Sequence, residues 1–213
     1  MMKVVLIDYG AGNLHSVSKA LTAAGLEPTV TSSPTVATTA DALVLPGQGH
    51  FRQIMDSFNL SGFEPVVRNH LTTNKPFLGI CVGLQILVES SEEAPGLPGL
   101  GLLKGTVRRF RGQQITVPQM GWNQVFKRGN PSLLENIPDG SYAYFANSYF
   151  VDFKDDSVPG ATTSYGDSVF LSVLSDGNLH ATQFHPEKSQ DFGISVLKNF
   201  RNTIESYVNS RPF

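Results

Sequence analysis

Short apolar runs alternate with segments of helical periodicity through the first half of the chain. After the apolar run 3–8, Leu14, Val17 and Leu21 recur at helical spacing until Gly25 interrupts the pattern. Such alternation is typical of βαβ units around a parallel sheet. The pattern predicts strands at 3–8, 28–31, 42–46 and 77–80, and helices at 14–24, at 63–71 and from Cys81 to about Ser90.

The hydrophobic pattern changes after Pro95. Glycines and prolines cluster up to Gly105, and the apolar runs that follow are shorter and separated by turn residues. These runs predict antiparallel strands beside the parallel core, at 105–110, 123–127, 142–153, 168–174 and 179–184. A last helix is predicted at 192–208. No long linker divides the chain, so we expect one α/β domain over residues 1–213 with a mostly parallel sheet.

Composition narrows the class of protein. At 40% hydrophobic the chain can bury a substantial core, and a net charge of −2 gives no support to a nucleic-acid or anionic-membrane partner. The first apolar stretch is too short for a signal peptide, and no run approaches membrane-spanning length. A single cysteine excludes an internal disulfide and a cysteine-rich zinc site. We therefore expect a cytoplasmic protein without membrane or nucleic-acid partners.

That cysteine, Cys81, lies where a predicted strand meets a predicted helix, in the sequence Gly-Ile-Cys-Val-Gly of residues 79–83. A nucleophile on such a sharp turn projects from the end of the sheet, and small residues on either side let strand and helix approach closely. The helix N-terminus favours the thiolate, and the N–H of Val82 is a candidate donor to an oxyanion. The alternative is a buried structural cysteine. The two glycines and a partner motif later in the chain favour the nucleophile.

The partner motif is Gln-Phe-His-Pro-Glu at 183–187. His185 follows the last predicted strand, at the edge where α/β enzymes place their sites, and Pro186 cannot continue a central strand. His185 can act as general base toward Cys81 and then as general acid toward a leaving amine, while Glu187 orients its ring. One imidazole and one carboxylate are too few ligands for a catalytic zinc, so we expect no metal and no cofactor.

A glycine-rich loop at 46–51 follows the third predicted strand. Gly47 and Gly49 allow unusual backbone angles and close approach of a substrate. The loop leaves the same sheet edge as Cys81, so the N–H of Gln48 is the candidate second oxyanion donor, with an ordinary turn as the alternative. We expect the two glycines to let this peptide adopt alternative orientations and so gate the oxyanion hole. A second glycine-rich turn at 10–15 lacks the third glycine of a dinucleotide fingerprint and is discounted.

Taken together, these segments resemble the class I glutamine amidotransferases over nearly the whole chain. Residues 79–85 are similar to the nucleophile turn of that family, and residues 183–187 to its His/Glu element. The segments 8–14, 46–49, 120–123, 185–189 and 197–200 resemble one branch, the glutaminase subunits of imidazole glycerol phosphate synthase. The resemblance implies a flavodoxin-like, mostly parallel sheet flanked by helices, with additional antiparallel strands in the C-terminal half.

The resemblance also implies a reaction and a partner. Cys81, His185 and Glu187 would hydrolyse glutamine to glutamate and ammonia through a thioester. The ammonia would pass to a barrel-shaped cyclase subunit in a heterodimer, which makes imidazole glycerol phosphate and aminoimidazole carboxamide ribotide in histidine biosynthesis. Glutamine contacts would come from Gly47, Gly49, Gln85, Ser148 and Tyr149, and interface contacts from Asn13, Gln119, Trp122, Tyr144 and Lys188.

The chain departs from the family pattern at several positions outside the triad. The family usually has histidine where this chain has Gln119 and Asn147, valine at Gln48, and Leu-Gly-Met at 82–84. Two alternatives therefore stay open: a paralogous subunit that feeds a related synthase for another product, and a stand-alone thiol hydrolase. A third, a regulatory subunit without catalysis, is disfavoured by the intact triad.

Overall fold

The computed structural model describes residues 2–153, 155 and 157–211. The strands are β1 (Val4–Ile7), β2 (Pro28–Thr31), β3 (Ala42–Gly47), β4 (Phe77–Cys81), β5 (Val88–Ser91), β6 (Leu103–Arg109), β7 (Gln119–Arg128), β8 (Ser141–Asn147), β9 (Tyr149–Phe153), β10 (Gly160–Tyr165), β11 (Ser168–Asp176) and β12 (Leu179–Thr182). The helices are α1 (Leu14–Ala23), α2 (Pro34–Thr38), α3 (Phe51–Ser61), α4 (Glu64–Thr72), α5 (Val82–Gln85) and α6 (Gln190–Asn209), with 3₁₀ turns at Ser132–Leu134 and Pro186–Lys188.

A large sheet in the order β2-β1-β3-β4-β12-β11-β10-β7-β8 organises the described part of the chain, beside a small sheet in the order β5-β6-β9. From β2 to β12 the strands of the large sheet pair in parallel. Every residue of β1, β3 and β4 is buried, as expected for central parallel strands covered on both faces. The predicted α/β fold is therefore confirmed, with a mixed sheet whose parallel part runs from β2 to β12.

The antiparallel half begins at β11, which pairs with β12, and continues through β10, β7 and β8. The predicted strand 142–153 is two strands in two sheets: β8 pairs with β7 in the large sheet, and β9 with β6 in the small one. Ser148 lies at the junction, where its carbonyl oxygen accepts from the N–H of Phe110 at 3.1 Å. The alternating pattern continues through both strands, so it could not show this change of sheet.

The predicted helix from Cys81 to about Ser90 is too long. The helix α5 ends at Gln85, and β5 begins at Val88 and pairs in parallel with β6. Serine and valine are weak helix formers, and pairing with β6 gives this segment hydrogen-bond partners that a helix would not use. The sequence pattern also missed α2, α3 and β10, although α3 has a buried apolar face of Phe51, Ile54, Met55 and Phe58.

Candidate active site

Cys81 lies at the junction between β4 and α5, with 4% of its surface exposed. Its backbone has φ +55° and ψ −109°, which is unusual for a residue with a Cβ atom. Such strained geometry is typical of a nucleophile placed on a sharp strand-to-helix turn, where the surrounding structure enforces it. The structure therefore places Cys81 at the carboxyl end of a central parallel strand.

Three glycines let the backbone segments around Cys81 approach each other. A Cβ atom on Gly83 would lie 2.1 Å from the carbonyl oxygen of Leu45, and one on Gly79 would lie 2.9 Å from that of Gly83. A Cβ atom on Gly47 would lie 2.6 Å from the nitrogen of Gly83. Each distance is too short for a side chain, so β3, β4 and α5 pack closely only because these positions are glycine.

His185 and Glu187 form a buried pair next to Cys81. The Nδ1 of His185 lies 2.8 Å from Oε1 of Glu187, and their side chains are 4% and 2% exposed. The 3₁₀ turn Pro186–Lys188 brings the carboxylate back toward the ring, and the N–H of His185 donates to the carbonyl oxygen of Tyr144 at 3.0 Å. Since Glu187 occupies Nδ1, Nε2 is the ring nitrogen of His185 that remains for proton exchange beside Cys81.

The electrostatics of this pair favour a protonated histidine. Burial alone lowers the pKa of His185, because it disfavours the charged ring. The negative charge and hydrogen bond of Cys81 oppose burial, and the hydrogen bond and charge of Glu187 add to them, so the pKa rises to about 10. At neutral pH the imidazole of His185 is therefore protonated, so it can give a proton to a leaving group.

Cys81 opens onto a cavity of about 270 Å³. Of the predicted oxyanion and glutamine-binding residues, the cavity is lined by Gln48, Gly49, Val82, Gln85, Ser148 and Tyr149. Gly47 is not part of the lining. Its position in β3 is explained by the close approach of Gly83, whereas Gly49 has a φ of +131° that favours glycine. Close packing therefore explains the glycine at position 47 and backbone conformation the glycine at position 49, and the alternative orientations of the Gln48 peptide stay a prediction.

The two candidate oxyanion donors lie on opposite sides of Cys81 in the sequence. Val82 is the first residue of α5, so no residue of its own helix can accept its N–H. The loop that holds Gln48 begins at Pro46, whose carbonyl oxygen accepts a hydrogen bond from the hydroxyl of Tyr9 at 2.7 Å. Burial and the neighbouring Cys81 raise the pKa of Tyr9, so this phenol stays a neutral donor. The role of Tyr9 in holding the loop was not foreseen from the sequence.

Glu93 is a cavity residue that the sequence pattern also missed. Its side chain is 14% exposed, its Oε2 accepts from the N–H of Phe51 at 2.8 Å, and its Oε1 lies 3.9 Å from Nε2 of His50. It contributes the one carboxylate among the described residues that line this cavity. Glu93 lies outside any motif, so only the folded chain shows that it reaches the site.

Three of the predicted interface residues lie together, and one does not lie on the surface. Trp122 is 47% exposed and stacks edge-on against Tyr144, with ring centroids 6.0 Å apart. The Nζ of Lys188 lies 5.9 Å from the centre of the Tyr144 ring. Gln119 is only 3% exposed, which corrects its prediction as a direct interface contact. Asn13 caps α1 by accepting from the N–H of Ser16 at 3.2 Å.

Gln119 and Asn147, the two departures from histidine, face each other across β7 and β8. Both are buried, and Asn147 donates to the carbonyl oxygen of Tyr149 at 2.9 Å. Among the described residues, Oε1 of Gln119 and Oδ1 of Asn147 are buried without a hydrogen-bond partner. The two departures are therefore one local change, and Asn147 lies on the wall of the cavity.

The described part of the chain has no cluster of three or more His, Cys, Asp or Glu residues that could hold a metal ion. None of its helices is both long enough and apolar enough to cross a membrane.

Fold and site together define a thiol amidotransferase class, and comparison with known proteins agrees. Residues 5–203 match the family model "Glutamine amidotransferase class-I", and the chain belongs to this family. Within it, the chain is 49% identical to imidazole glycerol phosphate synthase subunit HisH of Deinococcus radiodurans over 203 residues, covering 95% of this chain and 94% of that one. It is 50% identical to a subunit of the same name from Thermus thermophilus over 204 residues, covering 96% and 99%.

A solved structure gives the same result for the fold. A glutamine amidotransferase crystal structure superposes with a TM-score of 0.73 at 20% identity, covering 94% of this chain and 98% of that chain. At that identity the similarity concerns the fold alone.

Proposed function

We propose that this chain is the glutaminase subunit of an imidazole glycerol phosphate synthase. It hydrolyses glutamine to glutamate and ammonia and supplies the ammonia to a cyclase subunit in histidine biosynthesis. The main support is the buried Cys81, His185 and Glu187 arrangement beside a cavity, in a chain 49% identical to a HisH subunit over nearly its whole length. That identity favours the histidine branch over a paralogous synthase.

The first half-reaction forms a thioester. The Cys81 thiolate attacks the side-chain carbonyl carbon of glutamine, a C–S bond forms, and the carbonyl electrons move onto oxygen. The N–H groups of Val82 and Gln48 stabilise this oxyanion, and loss of one such donor typically costs about 10²- to 10³-fold in rate. His185 then gives its proton to the nitrogen as the C–N bond breaks, so ammonia leaves.

The second half-reaction restores the enzyme. Neutral His185 takes a proton from water while the water oxygen attacks the thioester carbon. Collapse of the second oxyanion breaks the C–S bond, which returns the thiolate of Cys81 and the imidazolium of His185. The new carboxyl group loses its proton in solution as glutamate. Throughout, Glu187 keeps Nδ1 protonated, so that Nε2 is the atom that exchanges protons with substrate.

The cavity lining fits both ends of glutamine. Glu93 is a carboxylate at the wall and matches the positively charged α-amino group. Ser148 and Tyr149 lie at the junction between the two sheets, where they can contact the rest of the amino acid. We therefore assign recognition of the α-amino group to Glu93, with Gly49, Gln85, Ser148 and Tyr149 as the other contacts.

The cyclase partner docks on the face formed by Trp122, Tyr144 and Lys188. Trp122 belongs to a set of exposed hydrophobic side chains on neighbouring strands that also includes Met120 and Tyr142, which are 69% and 55% exposed. Large apolar side chains exposed together mark interaction surfaces, and tryptophan, tyrosine and methionine are enriched at protein interfaces. The edge strand β8 therefore presents this face to the partner.

Covalent labelling tests the glutaminase assignment. A glutamine analogue such as 6-diazo-5-oxonorleucine should modify Cys81 stoichiometrically in the complex with the cyclase subunit, and mass spectrometry locates the adduct. Excess glutamine should protect the thiol. Absence of an adduct, with and without the partner, would contradict the proposal. A stand-alone thiol hydrolase would instead turn over glutamine at full rate without any partner.

A further inference from the structure

Gln183 is a buried polar residue that the mechanism above does not use. It lies between β12 and His185 and has 0% of its surface exposed. Its backbone N–H donates to the carbonyl oxygen of Ser172 at 2.9 Å. A buried amide side chain is unfavourable unless its polar atoms are hydrogen-bonded, and an apolar side chain of similar size would fill the same space. The contacts of its two polar ends therefore indicate what the residue does.

One end of the Gln183 side chain faces the nucleophile. Its Nε2 lies 3.7 Å from Sγ of Cys81 and donates to it. Sulfur is a large atom, so hydrogen bonds to it are longer than those to oxygen. His185, from the same segment of chain, also interacts with this sulfur, since the charge of Cys81 raises the pKa of the imidazole. A thiolate accepts such hydrogen bonds far better than the neutral sulfur of a thiol or thioester.

The other end of Gln183 is held by a residue of the glutamine pocket. Its Oε1 accepts from Nε2 of Gln85 at 3.2 Å, and the same Nε2 donates to the carbonyl oxygen of Tyr149 at 2.9 Å. If the amide of Gln183 were reversed, its oxygen would face the thiolate and its NH₂ group would face an N–H of Gln85. Both contacts would be repulsive, so Gln85 fixes the orientation in which Gln183 donates to sulfur.

We propose that Gln183 is a positioning residue that donates a hydrogen bond to the Cys81 thiolate and holds its sulfur toward the glutamine cavity, in an orientation fixed by Gln85. This inference rests on the proposed function, because it requires Cys81 to be the nucleophile. Gln183 moves no proton during the reaction. It favours the charged sulfur before attack and releases it when the C–S bond forms, because the thioester sulfur is a weak acceptor.

Alkylation of the cysteine tests the contact directly. Cys81 is the only cysteine in the chain, so the rate of reaction with iodoacetamide reports this thiol alone. In Gln183→Met, which keeps the volume and removes the donor, the pH midpoint of alkylation should rise by about one unit, and the rate at pH values below the midpoint should fall about tenfold. Gln183→Leu should do the same, and whichever variant keeps the wild-type far-UV spectrum and melting behaviour is used.

Turnover by the complex with the cyclase subunit gives a second readout. In the same variants kcat for glutamine hydrolysis should fall about tenfold while KM changes less than about twofold, because the substrate contacts remain. Thr182→Val is the matched control. Thr182 is adjacent, has 0% exposure, and uses its hydroxyl only for the carbonyl oxygen of Phe184 at 3.0 Å. This variant should keep the wild-type alkylation profile and kcat.

A measurement on the unmodified chain covers the case in which neither variant folds. The side-chain NH₂ resonance of Gln183, followed by ¹⁵N nuclear magnetic resonance, should shift as Cys81 ionises and again when Cys81 is alkylated. An unshifted resonance would overturn the inference, as would wild-type alkylation and kcat in a folded Gln183 variant. In either case, a wild-type chain that is labelled by the glutamine analogue would leave the glutaminase assignment intact.

Discussion

Two buried histidines near the same strand illustrate how differently one fold treats one residue type. His180 lies within β12 and His185 just beyond its end, and both are at most 3% exposed. Burial lowers the pKa of His180 to about 4, and the hydrogen-bond partners of its ring are the neutral hydroxyls of Ser175 and Thr203, at 3.1 and 3.3 Å. Cys81 and Glu187 raise the pKa of His185 despite burial. Charged neighbours, and not burial, decide which histidine is protonated.

Position along the strand explains the contrast. His180 is inside the hydrogen-bonded ladder, opposite Leu78 of β4 and Ser175 of β11, and its ring stacks edge-on against Phe200. His185 lies past the carboxyl end of the strand, where the turn after β4 presents Cys81. Strand interiors are available for packing, whereas strand ends bring together groups from separate segments. The same strand therefore provides stability in its interior and chemistry at its end.

Substitution of His185 should have the largest effect, and it should distinguish the functions of the two histidines. His185→Gln should lower glutamine-dependent turnover of the complex by about 10²- to 10⁴-fold, because both proton transfers depend on this ring. Ammonia-dependent synthesis by the partner should be unchanged. Steady-state kinetics with each nitrogen source measures both activities.

His180→Gln is the matched control, since it makes the same change on the same strand. It should lower the melting temperature but keep kcat for the folded fraction. An equal loss of kcat in both variants would show that the strand interior also takes part in the chemistry, which would remove the contrast.

Glu187→Gln should have a smaller effect on the same reaction. The amide still accepts from Nδ1 but lacks the charge that helps to raise the pKa of His185. That pKa should fall, so the basic limb of the pH–rate profile should move to lower pH, with about a tenfold loss of the protonated form at alkaline pH for each unit. The profile of kcat between pH 6 and 10 measures the shift. If the basic limb does not move, it reports the ionisation of a group other than His185.

Acid should destabilise the chain through its neutral histidines. Burial lowers the pKa of both His70 and His180 to about 4, from a value of 6.5 in the unfolded chain. The unfolded chain therefore binds more protons between these values, so their contribution is complete above about pH 6.5 and is lost as pH falls toward 4. Each contributes up to about 3 kcal/mol to the free energy of unfolding. Urea unfolding at pH 7.5, 6 and 5 should show the decline, and His180→Gln should make it shallower.

The smallest expected effect concerns the hydroxyl beside His180. Ser175 bonds His180, the hydroxyl of Ser132 at 3.1 Å and the N–H of Leu133 at 3.2 Å. Ser175→Ala should lower the free energy of unfolding by about 1–2 kcal/mol, because buried partners lose a hydrogen bond. Glutaminase kinetics should not change. A Ser175→Ala variant with altered kcat would link this cluster to the active site.

The sequence was sufficient to predict features that depend on a few neighbouring residues. The parallel strands follow continuous apolar runs, and the Gly-Ile-Cys-Val-Gly and Gln-Phe-His-Pro-Glu motifs place Cys81, His185 and Glu187 at strand ends. The sequence pattern gave wrong predictions where pairing with another segment determines the secondary structure. The helix after Cys81 is short because β5 pairs with β6, and the strand 142–153 divides because its two halves join different sheets.

Apolar periodicity and short motifs were enough to predict the class of fold and to propose the nucleophile and its two partners, because these signals act over a few residues. How the parts work together depends on the folded chain. Folding placed Glu93 on the cavity wall, made Gln119 and Asn147 a buried pair, and directed Gln183 at the Cys81 sulfur. Such contacts join residues distant in the chain, so they form only after separate strands pair, and burial and charge at those contacts set the chemistry of Cys81 and His185.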